Sequence, residues 1–420
     1  MKRRLLSRTG SLQGFRAEPP LAIERTKLEF RKLLAFCRRD LPNTMKLLRE
    51  AVEIESPTWS PTDIDCVARF FAREFRRHHG EVSLHENSKT GAAVVAEFWG
   101  GTHDSKSRRG RGKLQPSTLK KPILLIGHHD TVWAKGTLAR MPFRIQRGRA
   151  YGPGVLDMKS GIVQVIAAVR ALQSLGVEPA SPVRFFLNPE EEAGSEMFRR
   201  KIEREAKASR AVLVLEPAAN GALKTARKGV GEFRLTVQGR SAHAGINPAA
   251  GINAIAELAR QVLKIEKLAE PRRGLTLNVG VVEGGSRPNV VPEIARARVD
   301  VRIPRSSDQA RIEQKIFALK PVHPEARLKI EGGINRPPME RAMAAGLFEK
   351  ARVLAGQLGF EVKDAATGGG SDGNFSAALG IPTLDGLGGV GDGAHALHEH
   401  VIIRELPRRT ALLAALLATL

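Results

Sequence analysis

The run NPEEEAGS at residues 188 to 195 places three glutamates side by side, directly after the apolar stretch VRFFL. Adjacent carboxylates repel, and burying them is costly unless a cation neutralises them. Residues of matching chemistry fall elsewhere in the chain: His128 and Asp130 in GHHD, Asp157 in GVLDMKSG, Glu216 after AVLVL, and His395 in GDGAHALHEH. With Glu191 and Glu192 they make a mixed imidazole and carboxylate set that suits zinc or a related divalent ion. Singly, each is more often a satisfied or solvated side chain. Their joint occurrence carries the weight, and two dications would tolerate the adjacent glutamates.

The elements that must gather these residues are legible in the apolar pattern. LPNTMKLLREAVEIES and DIDCVARFFAREFRRHHG read as helices, and AAVVAEFWG and KPILLIGHHD as strands. A helix over about 159 to 175, the strand VRFFLN, a helix after EEAGSEMF and the strand AVLVLEP follow. Strands that are apolar throughout and alternate with helices predict an α/β fold, a mixed, mostly parallel sheet with helices on both faces. Ligands bind beyond the carboxyl ends of such strands, where His128, Asp130, Glu191, Glu192 and Glu216 all fall. Between residues 228 and 334 the order changes to β-α-β-β-α-β, a ferredoxin-like unit. The expected organisation is a basic N-terminal extension over 1–40, a catalytic domain over 41–227 and 335–420, and an inserted domain over 228–334.

A chain of 420 residues with 42% hydrophobic content is long enough for two domains with real cores. Lys and Arg number 67 against 44 Asp and Glu, a net charge of +23 that fits nucleic acid, an anionic membrane or an acidic substrate. Much of the excess lies in residues 1 to 40 and 100 to 122, read as a solvated tail and a solvated loop. Aromatics are only 5% and no stacking motif is interleaved with the basic runs, so nucleic acid is not expected as a partner. The sequence has neither a long apolar stretch nor a signal-peptide pattern, and a soluble cytoplasmic protein without a membrane partner is expected. Cys37 and Cys66 lack metal or redox spacing and read as packing residues.

HHDTV, YGPGVLDMKSG, NPEEEAGS, LEP, GRSAHAG, TGGGSDG and GAHALHE occur in an order and spacing that resembles the M20 metallopeptidase family, its glutamate carboxypeptidase branch most. The similarity runs from about residue 41 to the C-terminus. It implies a hydrolase with two Zn2+ per subunit, Co2+ or Mn2+ being alternatives. Such an enzyme would cleave an amide next to a free carboxylate in a small peptide or N-acyl amino acid, releasing a C-terminal amino acid, glutamate by preference. By the same resemblance His128, Glu216, His395 and Glu192 would hold the ions and Asp157 would bridge them; such ions lie ~3.5–4 Å apart. Glu191 would be the general base, Asp130 would fix the tautomer of His128, and Glu190 would stand outside the ligand set.

The resemblance also assigns residues of the inserted domain. His243 in SAHAG would reach a neighbouring subunit's site and hydrogen-bond the developing oxyanion, with Asn289 in RPNVVP as a further polar contact. A homodimer through that domain is implied. Arg302 and Arg336 would bind the substrate's carboxylate, and Gly369 would let backbone approach it. Ser160 and Met158 depart from the family pattern without removing a ligand. An N-acyl-amino-acid deacylase or a dipeptidase of the family would share the metal site.

Two rivals differ in kind. GGSDG at residues 369 to 373 fits G-x-S-x-G, with Asp385 and His395 following, as a serine hydrolase using Ser371 would require; that reading leaves the glutamate run and HHDTV unused. A non-enzymatic basic binding protein on the same fold would be expected to lack a ligand, and none is missing.

Overall fold

The computed structural model describes residues 29–100 and 120–420; the expectations for the basic tail before residue 29 and for the loop over 101–119 lie outside the described residues. A six-stranded sheet runs in the order Glu81–His85, Ala93–Phe98, Val183–Asn188, Ile123–His128, Ala211–Val214, Thr383–Leu384. The last four strands are parallel, and Ala93–Phe98 joins them antiparallel. This is the mixed, mostly parallel sheet expected.

Alternate side chains serve opposite faces, as the two-residue period of a strand requires. Ile123, Leu125, Phe185 and Leu187 face a core closed by helices Ser160–Ser174 and Leu406–Thr419. Leu124, Ile126, Phe186 and Val212 face a second cluster with Phe198, Ile202 and Phe375, supplied by helix Arg199–Ala208, the residue before it and helix Gly373–Ala378. Strand Ile123–His128 is buried throughout, hence its unbroken apolar sequence. Helix Pro61–Arg77 starts with proline in its first turn, carries Asp63 there and ends on Arg76 and Arg77, matching the helix dipole. Its Phe75 meets Phe185 edge-on at 5.6 Å; truncating either ring to alanine costs ~3–5 kcal/mol.

Helix Phe30–Arg39 corrects the expectation that residues 1–40 form a peripheral extension. Leu33, Leu34 and Cys37 are buried in the main core, and Asp40 beyond its end pairs with Arg170. Arg31, Lys32, Arg38 and Arg39 sit on the solvated face, so the segment looked like a charged tail in composition while its apolar residues kept helical spacing. Cys66, read as a packing residue, is exposed. Among the described residues no helix is long and apolar enough to cross a membrane.

Residues 229–336 build a separate antiparallel sheet in the order Thr276–Gly284, Ile294–Ile303, Gly229–Gln238, Arg327–Arg336. Helices Ala254–Glu266 and Ser307–Phe317 pack on one face, giving the β-α-β-β-α-β order read from the sequence. Phe233, Leu235 and Val237 point into this unit's own core, while Arg234 and Gln238 between and beyond them are exposed. The chain enters at Gly229 and leaves at Arg336, which pairs with Val230. A Cβ at residue 229 would stand 2.9 Å from the Arg336 carbonyl oxygen, so this joint requires glycine.

Candidate metal centre

The carboxyl ends of the parallel strands converge on one cluster. His128 ends its strand, Glu191 and Glu192 form a turn after Val183–Asn188, and Glu216 lies just past Ala211–Val214. Asp157 comes from the loop before helix Ser160–Ser174. His395 comes from the loop before His400–Ile402, where its backbone holds φ +64°, a left-handed conformation uncommon for a non-glycine residue.

Asp157 spans the cluster. Its Oδ1 is 3.2 Å from His128 Nε2 and its Oδ2 is 3.5 Å from His395 Nε2. Glu216 stands 3.4 Å from His128 Nε2, and Glu192 stands 3.2 Å from His395 Nε2. Ligand atoms of His128, Glu191 and Glu216 lie within 4.8 Å of one another, as do those of His128, Asp157 and Glu192. The structure therefore brings together His128, Asp157, Glu191, Glu192, Glu216 and His395.

The electrostatics of the cluster fit cations. Burial alone would lower the pKa of His128, but hydrogen bonds to Asp130, Asp157 and Glu216 raise it well above the imidazole range. Hydrogen bonds to Asp157 and Glu192 raise His395 to about 10. Burial works against ionised Asp157, yet both histidines hold it well below the carboxylate range. Burial pushes Glu191 well above that range, against the pull of Arg336 and with Glu216 adding to it. In the absence of an ion, protons on the two histidines and on Glu191 offset the clustered carboxylates. Nδ1 of His128 donates to the Asp130 carbonyl at 3.0 Å, so Nε2 is the nitrogen turned toward the carboxylate oxygens, and a cation there would take the place of its proton. A divalent ion taking nitrogen and oxygen ligands would offset the same carboxylates in place of those protons, and the donor set fits one.

Supporting residues fix the cluster from behind. Asp130 is fully buried and accepts the backbone N–H groups of Glu191 and Glu192 at 3.1 and 3.2 Å. Glu399 accepts four donors, from Trp133 Nε1 and from the backbone of Gly154, Leu156 and Asp157, at 2.8 to 3.0 Å. Glu190 turns away and caps Met197 and Phe198 at 2.6 and 2.9 Å. Arg227 and Lys224 had no sequence signal, being two basic residues among 67. Arg227 is buried, forks onto Asp385 at 2.7 and 2.9 Å, reaches Glu216 at 3.5 Å, and donates to the carbonyls of Gly369 and Gly370. Lys224 is half-buried, its pKa lowered by burial and by Arg227, with Glu216 and Asp157 among the charges it faces.

The remaining expected residues divide. His243 and Asn289 are exposed neighbours in the inserted unit, Ala244 N–H donating to the Asn289 carbonyl at 3.0 Å. No hydrogen bond or ion pair joins His243 to the metal cluster among the described residues. Arg302 is half-exposed, held by Asp300 at 2.6 and 2.8 Å and touching the Gly368 carbonyl at 3.4 Å beside exposed Gly369. Arg336, expected beside it as a carboxylate ligand, is buried and engaged by Glu191 and Asp372. The serine-hydrolase rival fails on geometry: Ser371 is buried and donates to Asp385 at 2.6 Å, Asp385 is paired with Arg227, and His395 bonds to Glu192 instead.

Comparison with known proteins agrees with this geometry. Residues 124–419 match the pattern of peptidase family M20/M25/M40. Carboxypeptidase G2 of Pseudomonas sp. (strain RS-16) is 31% identical over 395 residues, covering 90% of this chain and 89% of that protein. The aminopeptidase PepT of Bacillus cereus superposes with a TM-score of 0.71 at 20% identity, over 90% of this chain and 98% of that one. The M20 family metallo-carboxypeptidase Sso-CP2 of Sulfolobus solfataricus gives 0.69 at 16% identity, over 89% and 98%. With that pattern spanning every strand-end ligand described above, the chain belongs to peptidase family M20/M25/M40 and is a metal-dependent hydrolase of that family.

Proposed function

We propose that the enzyme uses two zinc ions to hydrolyse an amide next to a free carboxylate, releasing a C-terminal amino acid, glutamate by preference. The observation that carries this reading is Asp157, which offers one oxygen toward each imidazole, His128 and His395. His128 and Glu216 would hold one ion, His395 and Glu192 the other, and Asp157 both. When bound, such a pair supplies Lewis acidity that polarises the scissile carbonyl and activates water.

The chain's own residues do the rest. Glu191 takes a proton from the attacking water and passes it to the leaving amine, while Asp130 holds His128 and the backbone of the glutamate turn in register. His243 accepts backbone N–H groups of Gly245 and Ile246 at Nδ1, which places its proton on Nε2 and makes that atom a donor. A donor of this kind suits a developing oxyanion. Its exposure, apart from the cluster of its own chain, supports a homodimer in which it serves the partner's site, with Asn289 beside it. Arg302, next to Gly368 and Gly369, binds the substrate's carboxylate. The net charge of +23 favours acidic substrates by steering, and the branch resemblance favours glutamate.

The test is amino-acid release from a panel of N-acyl and peptidyl substrates, including C-terminal glutamate, before and after chelation and with zinc restored. Zinc-restorable release, fastest for glutamate, is expected. Release that survives complete metal removal would overturn the reading.

A further inference from the structure

Nη2 of Arg336 lies 2.9 Å from the Glu191 carboxylate and 2.9 Å from the Glu191 main-chain carbonyl. It also meets Ser195 Oγ at 3.0 Å and Asp372 Oδ1 at 3.1 Å, and only 8% of the residue is exposed. A grip on both the backbone and the side chain of one residue fixes where that residue sits and where its carboxylate points.

The grip is itself braced. Asn188 Nδ2 donates to Ser195 Oγ at 2.8 Å and to Asp372 Oδ2 at 2.6 Å, and Ser195 Oγ donates to Asp372 Oδ1 at 2.5 Å. The Phe375 ring lies 5.6 Å from the guanidinium carbon. Swinging Arg336 toward a ligand would leave Glu191 and Asp372 buried without their cation, a strongly unfavourable state. Arg336 is also the last residue of strand Arg327–Arg336, at the joint where the inserted unit meets the main sheet. Any displacement of the inserted unit moves this guanidinium relative to Glu191.

We propose that Arg336 is a positioning residue for Glu191: it holds the base in its working orientation and ties that orientation to the placement of the inserted unit, leaving the substrate's carboxylate to Arg302. The inference rests on the reading of Glu191 as the general base. It makes Arg336 a contributor to turnover, whereas a carboxylate ligand contributes first to affinity.

The experiment compares Arg336→Lys, Arg336→Gln and Asp372→Asn with wild type. It measures kcat and KM on the substrate wild type cleaves best, L-glutamate binding by calorimetry, and zinc content. A misplaced base is expected to lower kcat by about 10–100-fold in Arg336→Gln, less in Arg336→Lys, with KM, glutamate affinity and zinc content within about threefold. Should circular dichroism show Arg336→Gln unfolded, Asp372→Asn carries the test, because it loosens the brace and keeps the guanidinium; kcat should again fall with KM unchanged. Weakened KM and glutamate affinity with kcat retained would make Arg336 a direct carboxylate ligand and overturn the inference, as would an unaffected kcat in every folded variant. A wild-type enzyme that releases nothing from the panel would overturn the functional reading itself, and this inference with it.

Discussion

The carboxylate of Asp130 accepts the main-chain N–H of Glu191 at 3.1 Å. Its other oxygen takes the N–H of Glu192 and the Thr58 hydroxyl, and Oδ1 also lies 3.3 Å from His128 Nδ1. One buried side chain therefore sets the end of one strand against the turn that follows its neighbour. Asp130→Ala is expected to weaken zinc binding and kcat/KM by about 10–100-fold each, as loss of a ligand's supporting partner does. Zinc titration with steady-state kinetics checks this; wild-type zinc affinity in the variant would show that ligand orientation is independent of Asp130.

Glu399 gathers the Asp157 loop through three backbone N–H groups, those of Gly154, Leu156 and Asp157. Glu399→Ala leaves these buried donors without their acceptor, and a loss of about 2–4 kcal/mol in folding stability is expected. Urea denaturation of the metal-loaded protein reads it, and a change below about 0.5 kcal/mol would mean that water replaces the carboxylate at no cost.

If His243 serves the partner's site, two inactive variants should complement each other. His243→Ala and Glu191→Gln, each of low activity alone, are expected to recover about a quarter of wild-type turnover when unfolded and refolded together, since half of the resulting dimers carry one intact composite site. No recovery in confirmed mixed dimers would confine His243 to its own chain.

His129 is fully buried, and burial pushes its imidazole down to about 4, against about 6.5 in an unfolded chain. Between these values the unfolded state binds the proton and the folded state does not. The contribution is therefore complete above the unfolded pKa and is lost as pH falls toward the folded one. From pH 7 to pH 5, wild type should lose about 2 kcal/mol more than His129→Leu in urea denaturation. Equal losses would show that His129 titrates alike in both states.

Much of this arrangement could be read from residue types alone, because strand ends in a parallel sheet are where a polar residue after an apolar run has a single place to go. His128, Glu192 and Glu216 are visible for that reason. Period-2 alternation likewise marks Phe233, Leu235 and Val237 as one face of the inserted sheet. Helix Phe30–Arg39 was misread because its solvated arginines dominate the composition of the segment, whereas its burial depends on three apolar residues. The motif of Arg336 points to substrate, and its burial against Glu191 and Asp372 is a feature that no local pattern records. Arg227, Lys224 and Trp133 left no trace in the sequence, since their partners are 11 to 266 residues away along the chain where a hydrogen bond or ion pair links them. Long-range pairing of this kind is decided by the packed fold and not by local pattern.

The central claim is that Glu191 moves the proton while its neighbours hold the ions, and Glu191→Gln separates the two roles. The measurement is zinc content and turnover on the same preparation of that variant. The account predicts wild-type zinc with turnover reduced by at least about 10³-fold, since a general base contributes factors of that order. Turnover within about tenfold of wild type, in protein carrying its full zinc, would contradict the account by removing Glu191 from the chemistry.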